Sequence, residues 1–355
     1  MIMRKHLEGE KISRNLGINI FVYFISISMA FGITLSILAF LGYDILRALI
    51  TIITTSFRSS FGFQETIKKT IPLIFATYAF AVPFTIKFFN IGVWGQMLFG
   101  ATMSTIVGLS LSPLNITSIV MIPLLLTTGI FAGGFYALIA GYLKSDYDIN
   151  PIISTIMLNY VASYFLNFVA TSRPFRDPVE GHPITIPLPE TSTIGFFMGI
   201  PYSIFFILVT VLFVYVLLKK TRLGFEITAV GQNMEAARIY GINFRKTIMI
   251  TFFIGGTIAG LGGVLEILNI HGKLIEGFAR TSGAQYGIFG ILTCLIVAGN
   301  PMGIPVAAFL MSVLLVGADA LQRTMQIPVE LVFSSQALIV LFILIIRSAV
   351  LRKEI

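Results

Sequence analysis

Apolar runs long enough to cross a bilayer recur along this 355-residue chain, and the segments between them hold most of the charge. A bilayer crossing takes roughly 20 apolar residues in a helix, the one open-chain form that satisfies its own backbone polar groups in hydrocarbon. The runs lie at 17–42, 69–87, 92–110, 118–141, 151–170, 195–218, 248–268, 284–299, 303–320 and 331–349. They predict an all-α polytopic integral membrane protein with about ten transmembrane helices. Composition removes the soluble alternative. The chain is 56% hydrophobic and 11% charged, whereas soluble domains carry about 25% charged residues. Residues 44–57 are apolar at helical spacing but short, which suits an interfacial or partly inserted helix.

The net charge of +8 comes from basic residues scattered over the connecting segments. That distribution fits contact with anionic membrane lipid and excludes a nucleic-acid patch. Cytoplasmic segments of membrane proteins are enriched in Lys and Arg. By this rule the N-terminus, 1–16 with Arg4, Lys5, Lys11 and Arg14, is cytoplasmic. So is the loop 219–247, with Lys219, Lys220, Arg222, Arg238, Arg245 and Lys246. The proline-rich segment 171–194 is then external, an irregular loop suited to receiving a partner. The first apolar run is too long for the core of a signal peptide, so it reads as a retained span. The whole of 1–355 reads as one transmembrane domain in the cytoplasmic (inner) membrane.

Several chemistries find no residues here. Cys294 is the single cysteine, and His6, His182 and His271 lie far apart. Neither a disulfide nor a metal site follows from them, and no cofactor is called for. No G-x-x-x-x-G-K-[ST] loop is present to cradle ATP, and no nucleophile–base grouping marks an enzyme. Glu266 and Asp319 fall close to span ends, where a carboxylate reaches water. An ion-coupled secondary transporter would need an ionisable group deeper in the membrane.

Small residues recur every four positions at Gly255, Ala259 and Gly263, and again at Gly256 and Gly260. That spacing lets helix backbones approach closely, which replaces the hydrophobic effect that lipid cannot supply. The stretch 88–100, FFNIGVWGQMLFG, and the run from Gly283 to Gly299-Asn300-Pro301 look like interrupted helices. Backbone freed in this way is tolerated at membrane depth where it is buried in protein or lines a wet cavity.

Between the apolar runs, Lys219–Lys246 reads KKTRLGFEITAVGQNMEAARIYGINFRK. Residues 233–241 predict a short helix, with Gly241 as its stop. With its Glu235-Ala236-Ala237 and Gly241, this stretch resembles the coupling loop of ABC importer permeases. The string AVGQNMEAARIYGIN is more specifically similar to permeases for simple sugars and nucleosides. Phe89-Asn90-Ile91-Gly92-Val93-Trp94-Gly95-Gln96 resembles the FNIG-x-x-GQ signature of the same family. Gly141-Tyr142-Leu143-Lys144 and Ile152–Tyr160 are similar to it as well. Two departures stand beside these matches. Thr251-Phe252-Phe253-Ile254 replaces the importers' Ile-x-Leu-Pro, and Ile288-Phe289 follows Tyr286-Gly287 where the family often has an acidic residue.

The resemblance implies a permease without ATPase activity of its own, which moves a nucleoside or, alternatively, a simple sugar. It implies as partners an ATP-binding subunit, a second permease chain and an extracellular substrate-binding lipoprotein. Asn233, Glu235, Ala236, Ala237 and Gly241 are then the expected contacts with the ATPase. For the solute path, polarity within the spans selects Asn90, Gln96, Asn159, Tyr160, Asn167, Gln285 and Tyr286. Phe89 and Trp94 are rings able to stack on a base or sugar. Buried Asn and Gln serve equally to tie helices together, and Trp94 to anchor at an interface.

Overall fold

A computed structural model describes residues 35–276 and 283–351, together with residues 25, 28–29, 32–33 and 278. Most of the first apolar run, 17–42, therefore lies outside the described residues. The helices are α1 (Ile45–Phe57), α2 (Ser60–Thr85), α3 (Val93–Leu111), α4 (Ser118–Tyr147) and α5 (Pro151–Thr171). After a two-stranded hairpin, β1 (Phe196–Phe197) and β2 (Ile200–Pro201), come α6 (Ile204–Lys220), α7 (Arg222–Gln232), α8 (Met234–Ile239) and α9 (Phe244–Glu266). A π turn at Ile267–His271 follows, and then α10 (Gly283–Ile296), α11 (Ile304–Met325) and α12 (Val329–Leu351).

Six helices among the described residues are long and apolar enough to cross a membrane: α2, α3, α4, α5, α9 and α11. A seventh candidate is α6 with α7, a pair bent by 69°. The shortfall from the expected ten has local causes. The run at 17–42 is largely undescribed, Gln285–Ile296 is shorter than a full crossing, and α12, 23 residues long, has side chains outside the described residues.

Several boundaries differ from those expected, each for a visible reason. The run at 69–87 belongs to a helix that starts at Ser60 and contains Pro72 and Pro83. The run at 118–141 continues to Tyr147, where Asp148 in left-handed backbone ends it. At 195–218 the first residues form the hairpin, because Met198 and Gly199 both have positive φ and reverse the chain. Positive φ at both central residues gives the twist that matches the flanking strands. The stretch 88–100 spans the end of the connection between α2 and α3 and the first turns of α3, and interrupts neither helix.

The described residues divide into two compact units, one within 35–63 and 313–351 and the other within 64–312. In the first, Leu38, Ala48, Ala318, Leu321, Ile327 and Val332 form one apolar cluster. Gly317 lets Ile52 approach: a Cβ there would stand 2.7 Å from the Ile52 Cγ2.

The second unit is centred on α9, which has small residues on more than one face. A Cβ at Gly260 would stand 2.1 Å from the Gly129 carbonyl oxygen of α4, and one at Gly133 2.5 Å from the Gly256 carbonyl oxygen. One at Gly263 would stand 2.1 Å from the Met97 carbonyl oxygen of α3, and one at Gly255 2.8 Å from the Ala79 carbonyl oxygen of α2. The four-residue repeat is thus backbone-on-backbone packing with three neighbours, as small-residue interfaces allow.

The segment 172–194 is not free. Thr185 N donates to Leu274 O (3.0 Å), Leu188 N to Gly272 O (2.8 Å) and Ile194 N to Leu268 O (3.2 Å). It lies as a strap over the end of α9, with Ile184, Leu188 and Ile194 buried beneath it.

Candidate functional site

The residues singled out in the sequence separate into two places in the second unit. The first is the connection 86–92 and the start of α3. Asn90 is fully buried, and its amide pairs face to face with that of Gln96. Asn90 Nδ2 donates to Gln96 Oε1 (3.1 Å), and Gln96 Nε2 donates back to Asn90 Oδ1 (2.9 Å). Asn90 Oδ1 also accepts from Gly92 N at 3.2 Å. From α5, Asn159 Oδ1 accepts from Gly95 N (2.8 Å) while its Nδ2 donates to Ile91 O (3.0 Å). The first turn of any helix leaves backbone N–H groups without partners, and here a side chain from a neighbouring helix supplies one. Gly92 and Gly95 permit the approach: a Cβ at Gly95 would stand 2.8 Å from Asn159 Oδ1. Asn90 and Gln96 thus brace the start of α3 from within, and Asn159 clamps it to α5.

The aromatic residues lie beside it. Trp94 and Tyr160 meet edge to face at 6.3 Å, and Tyr160 is more than half exposed. Trp94 Nε1 is buried with no hydrogen-bond partner among the described residues. Gly287 of α10 backs onto Trp94, where a Cβ would stand 2.8 Å from the Trp94 Cβ. Tyr286 is buried next to that contact, and Gln285 is half-buried. Phe89 turns the other way and meets Phe80 and Phe84 edge to face at 5.7 and 5.5 Å. Asn167 sits farther along α5, half-buried, with Oδ1 unpartnered among the described residues.

The second place is α8. Asn233 caps it, its Oδ1 accepting from Ala236 N at 3.0 Å. At the other end Gly241 has φ 78°, Gly241 N donates to Arg238 O (3.0 Å) and Ile242 N to Ala237 O (3.1 Å). This pair of bonds with a left-handed glycine is the Schellman arrangement, which closes a helix and turns the chain away. The helix 234–239 is therefore fixed at both ends despite having only six residues. Glu235, Arg238, Ile239 and Tyr240 are exposed and Ala236 is half-buried, whereas Ala237 points into the chain and is buried. A cleft of about 620 Å³ beside the helix is lined by Arg222, Phe225, Asn233, Ala237 and Tyr240.

The expectations from sequence did not include α7, which holds α8 in place. A Cβ at Gly231 of α7 would stand 2.0 Å from Thr85 O, so α7 rests on the end of α2. Arg245 Nη2 pairs with Asp146 Oδ1 at 2.8 Å, tying the start of α9 to the end of α4. The signals available were Leu223, Ile227 and Val230 at helical spacing, with the single residues Gly231 and Asp146. Glu266, expected to reach water, is instead buried at the far end of α9.

Long apolar helices packed backbone to backbone define a polytopic α-helical membrane protein. The chain belongs to the family described as branched-chain amino acid transport system / permease component, whose model matches residues 62–348. Its relatives are permease subunits of ABC transporters. It is 32% identical over 299 residues to the glucose ABC transporter permease protein of Haloferax volcanii, covering 81% of this chain and 77% of that one. It is 30% identical over 335 residues to the nucleoside ABC transporter permease protein of Lactococcus lactis subsp. cremoris, covering 89% of both. To the guanosine ABC transporter permease protein of Bacillus subtilis it is 31% identical over 285 residues, covering 79% and 80%. No solved structure gives a significant match.

Proposed function

We propose that this chain is the permease subunit of an importer that moves a nucleoside across the cytoplasmic membrane, driven by ATP hydrolysis in a partner subunit. The observation that carries the coupling half of this reading is α8: a six-residue helix capped at both ends, its Glu235, Arg238 and Ile239 presented outward. Short helices in water are marginal unless fixed by their surroundings. One held this firmly, with an apolar Ile239 and Tyr240 left exposed, suits a surface awaiting a partner. Asn233, Glu235, Ala236 and Gly241 set that surface, while Ala237 supports it from within.

The nucleoside half rests on Trp94 and Tyr160, aromatic faces beside a buried polar clamp, and on relatives named for nucleoside and guanosine transport. The glucose permease relative supports a second reading, a simple-sugar importer of the same build. In either case the complex comprises an ATP-binding subunit, a second permease chain and a substrate-binding lipoprotein at the outer face. On this reading about ten helices cross the bilayer, both termini are cytoplasmic, 219–247 is the coupling loop and 171–194 is external.

Reconstitution with the ATPase and binding protein in vesicles tests both halves. Gly241→Val places a branched side chain where φ is 78° and strains the helix end by about 1–2 kcal/mol. Solute-stimulated ATP hydrolysis is expected to be abolished while membrane insertion is unchanged. Full stimulation in the variant would remove α8 as the coupling site. Uptake of labelled nucleoside, uncompeted by excess glucose, is the expected outcome for the substrate; the reverse pattern selects the sugar reading.

A further inference from the structure

Where the basic connection runs into α9, one stripe of that helix changes character along its length. Lys246, Met249, Ile250 and Phe253 stand at i, i+3, i+4 and i+7 and so share a face. Across from them on α4 are Leu138 and Phe135, and the Phe135 ring meets Phe253 edge to face at 5.5 Å. Gly134 admits the Phe253 ring: a Cβ there would stand 2.7 Å from the Phe253 Cε2. Between the two helices lies an open groove of about 530 Å³, with these apolar side chains as its walls and Arg245 and Lys246 at its end. Seven helical residues separate Lys246 from Phe253, so the groove runs about 10 Å along the axis of α9.

Both helices are long and apolar enough to cross a membrane. The walls of the groove therefore belong to the hydrocarbon and its basic end to the polar boundary. Phe135 is exposed, and Leu138, Met249, Ile250 and Phe253 are half-buried, so the described residues leave the groove open. At the basic end Arg245 is held by Asp146 at 2.8 Å, whereas the Lys246 ammonium has no partner among the described residues. Lys144, at the same end of α4, is paired with Asp148. Two cations thus face one carboxylate, and the excess charge is positive. The first turn of α9 adds to it, because Asn243 Oδ1 accepts only from Lys246 N (2.9 Å) and the positive end of the helix dipole points the same way.

We propose that this groove is the binding site of one anionic phospholipid, its phosphate on Lys246 and Arg245 and an acyl chain along Phe135, Leu138, Met249 and Phe253. The two ends together select the occupant. A free phosphate would satisfy the cations and leave the apolar walls uncovered. A zwitterionic lipid would fill the walls but carries its own cation to the basic end. A membrane-spanning helix of another protein needs a seam of about 30 Å, far longer than this furrow, whereas an acyl chain is thin and flexible enough for it. Basic pockets between transmembrane helices hold acidic headgroups by the same physics. Bound there, the lipid braces the start of α9 against α4, next to the Arg245–Asp146 pair.

Native mass spectrometry of the full-length chain in non-ionic detergent, titrated with phosphatidylglycerol or with phosphatidylcholine of the same acyl chains, tests the site without requiring transport. Phosphatidylglycerol is expected to bind about tenfold more tightly. Lys246→Gln, at an exposed position, should weaken that binding about fivefold and leave phosphatidylcholine unchanged. Lys220→Gln, which removes an exposed cation at the end of α6, should behave as the native chain. Equal affinity for the two lipids, full binding in Lys246→Gln, or the same loss in Lys220→Gln would overturn the proposal. So would displacement of phosphatidylglycerol by inorganic phosphate at equal concentration, which would make this a site for free anions. Replacing Met249 with photoreactive benzoylphenylalanine and irradiating intact membranes separates lipid from protein. A phospholipid adduct is expected; an adduct with another polypeptide, or with a distant segment of this chain, would overturn the assignment.

Discussion

Asn159 stands on one helix and completes the first turn of another. Replacing it with Ala would leave Gly95 N and Ile91 O, its partners at 2.8 and 3.0 Å, without a bond in the protein interior. Each such group costs about 1–3 kcal/mol, so Asn159→Ala is expected to destabilise by about 2–4 kcal/mol, read as a lowered Tm in detergent. Asn159→Asp keeps the acceptor for Gly95 but turns a carboxylate oxygen toward Ile91 O in the protein interior, and should destabilise at least as much. At this scale the sequence was half legible. Asn90, Gln96 and Asn159 stood out because amides in apolar runs are conspicuous. That Asn159 bonds to the backbone of Gly95 and Ile91, 64 and 68 positions away, is a product of helix packing, which no local spacing encodes. Glu266 shows the same limit: its position near a span end suggested water, and the π turn with the strap above it buries it.

The helices themselves were legible because ~20-residue apolar length is a physical requirement of the membrane. The repeat of Gly255, Gly256, Gly260 and Gly263 announced close packing. It could not announce that Gly129 and Gly133 on α4 would be its counterpart, since partner choice depends on how the chain turns between them. The hairpin at 196–201 was hidden within an apolar run, its reversal set by Met198 and Gly199. At this scale two substitutions separate sharply. Gly260→Val forces a side chain into the Gly129 carbonyl, where backbone cannot step aside. Overpacking in rigid interiors costs about 1–3 kcal/mol or more, so loss of folded protein in detergent is the expected result. Gly241→Ala meets open space and only the penalty of left-handed backbone, about 1 kcal/mol; its yield of folded protein should match the native chain.

For the molecule as a whole, charge gave an orientation that helix geometry does not. In a chain with Cys294 replaced, cysteines introduced at Gln232 and Glu180 are expected to react with impermeant reagent from opposite sides of a sealed vesicle. Reaction of both from one side would require a different threading of the spans. Solute identity was the least legible property. The relatives it matches at similar identity are named for glucose and for guanosine alike. The contact between α4 and α9 bears on how such a frame could work. Side chains act as springs between helices: they change rotamer, absorb displacement and let neighbours slide. Where Gly129 and Gly133 meet Gly256 and Gly260 there is no spring to compress. A push delivered to either helix arrives undiminished at the other, so the two behave as one strut, and any hinge that opens and closes a path through the protein must lie in the connections around it.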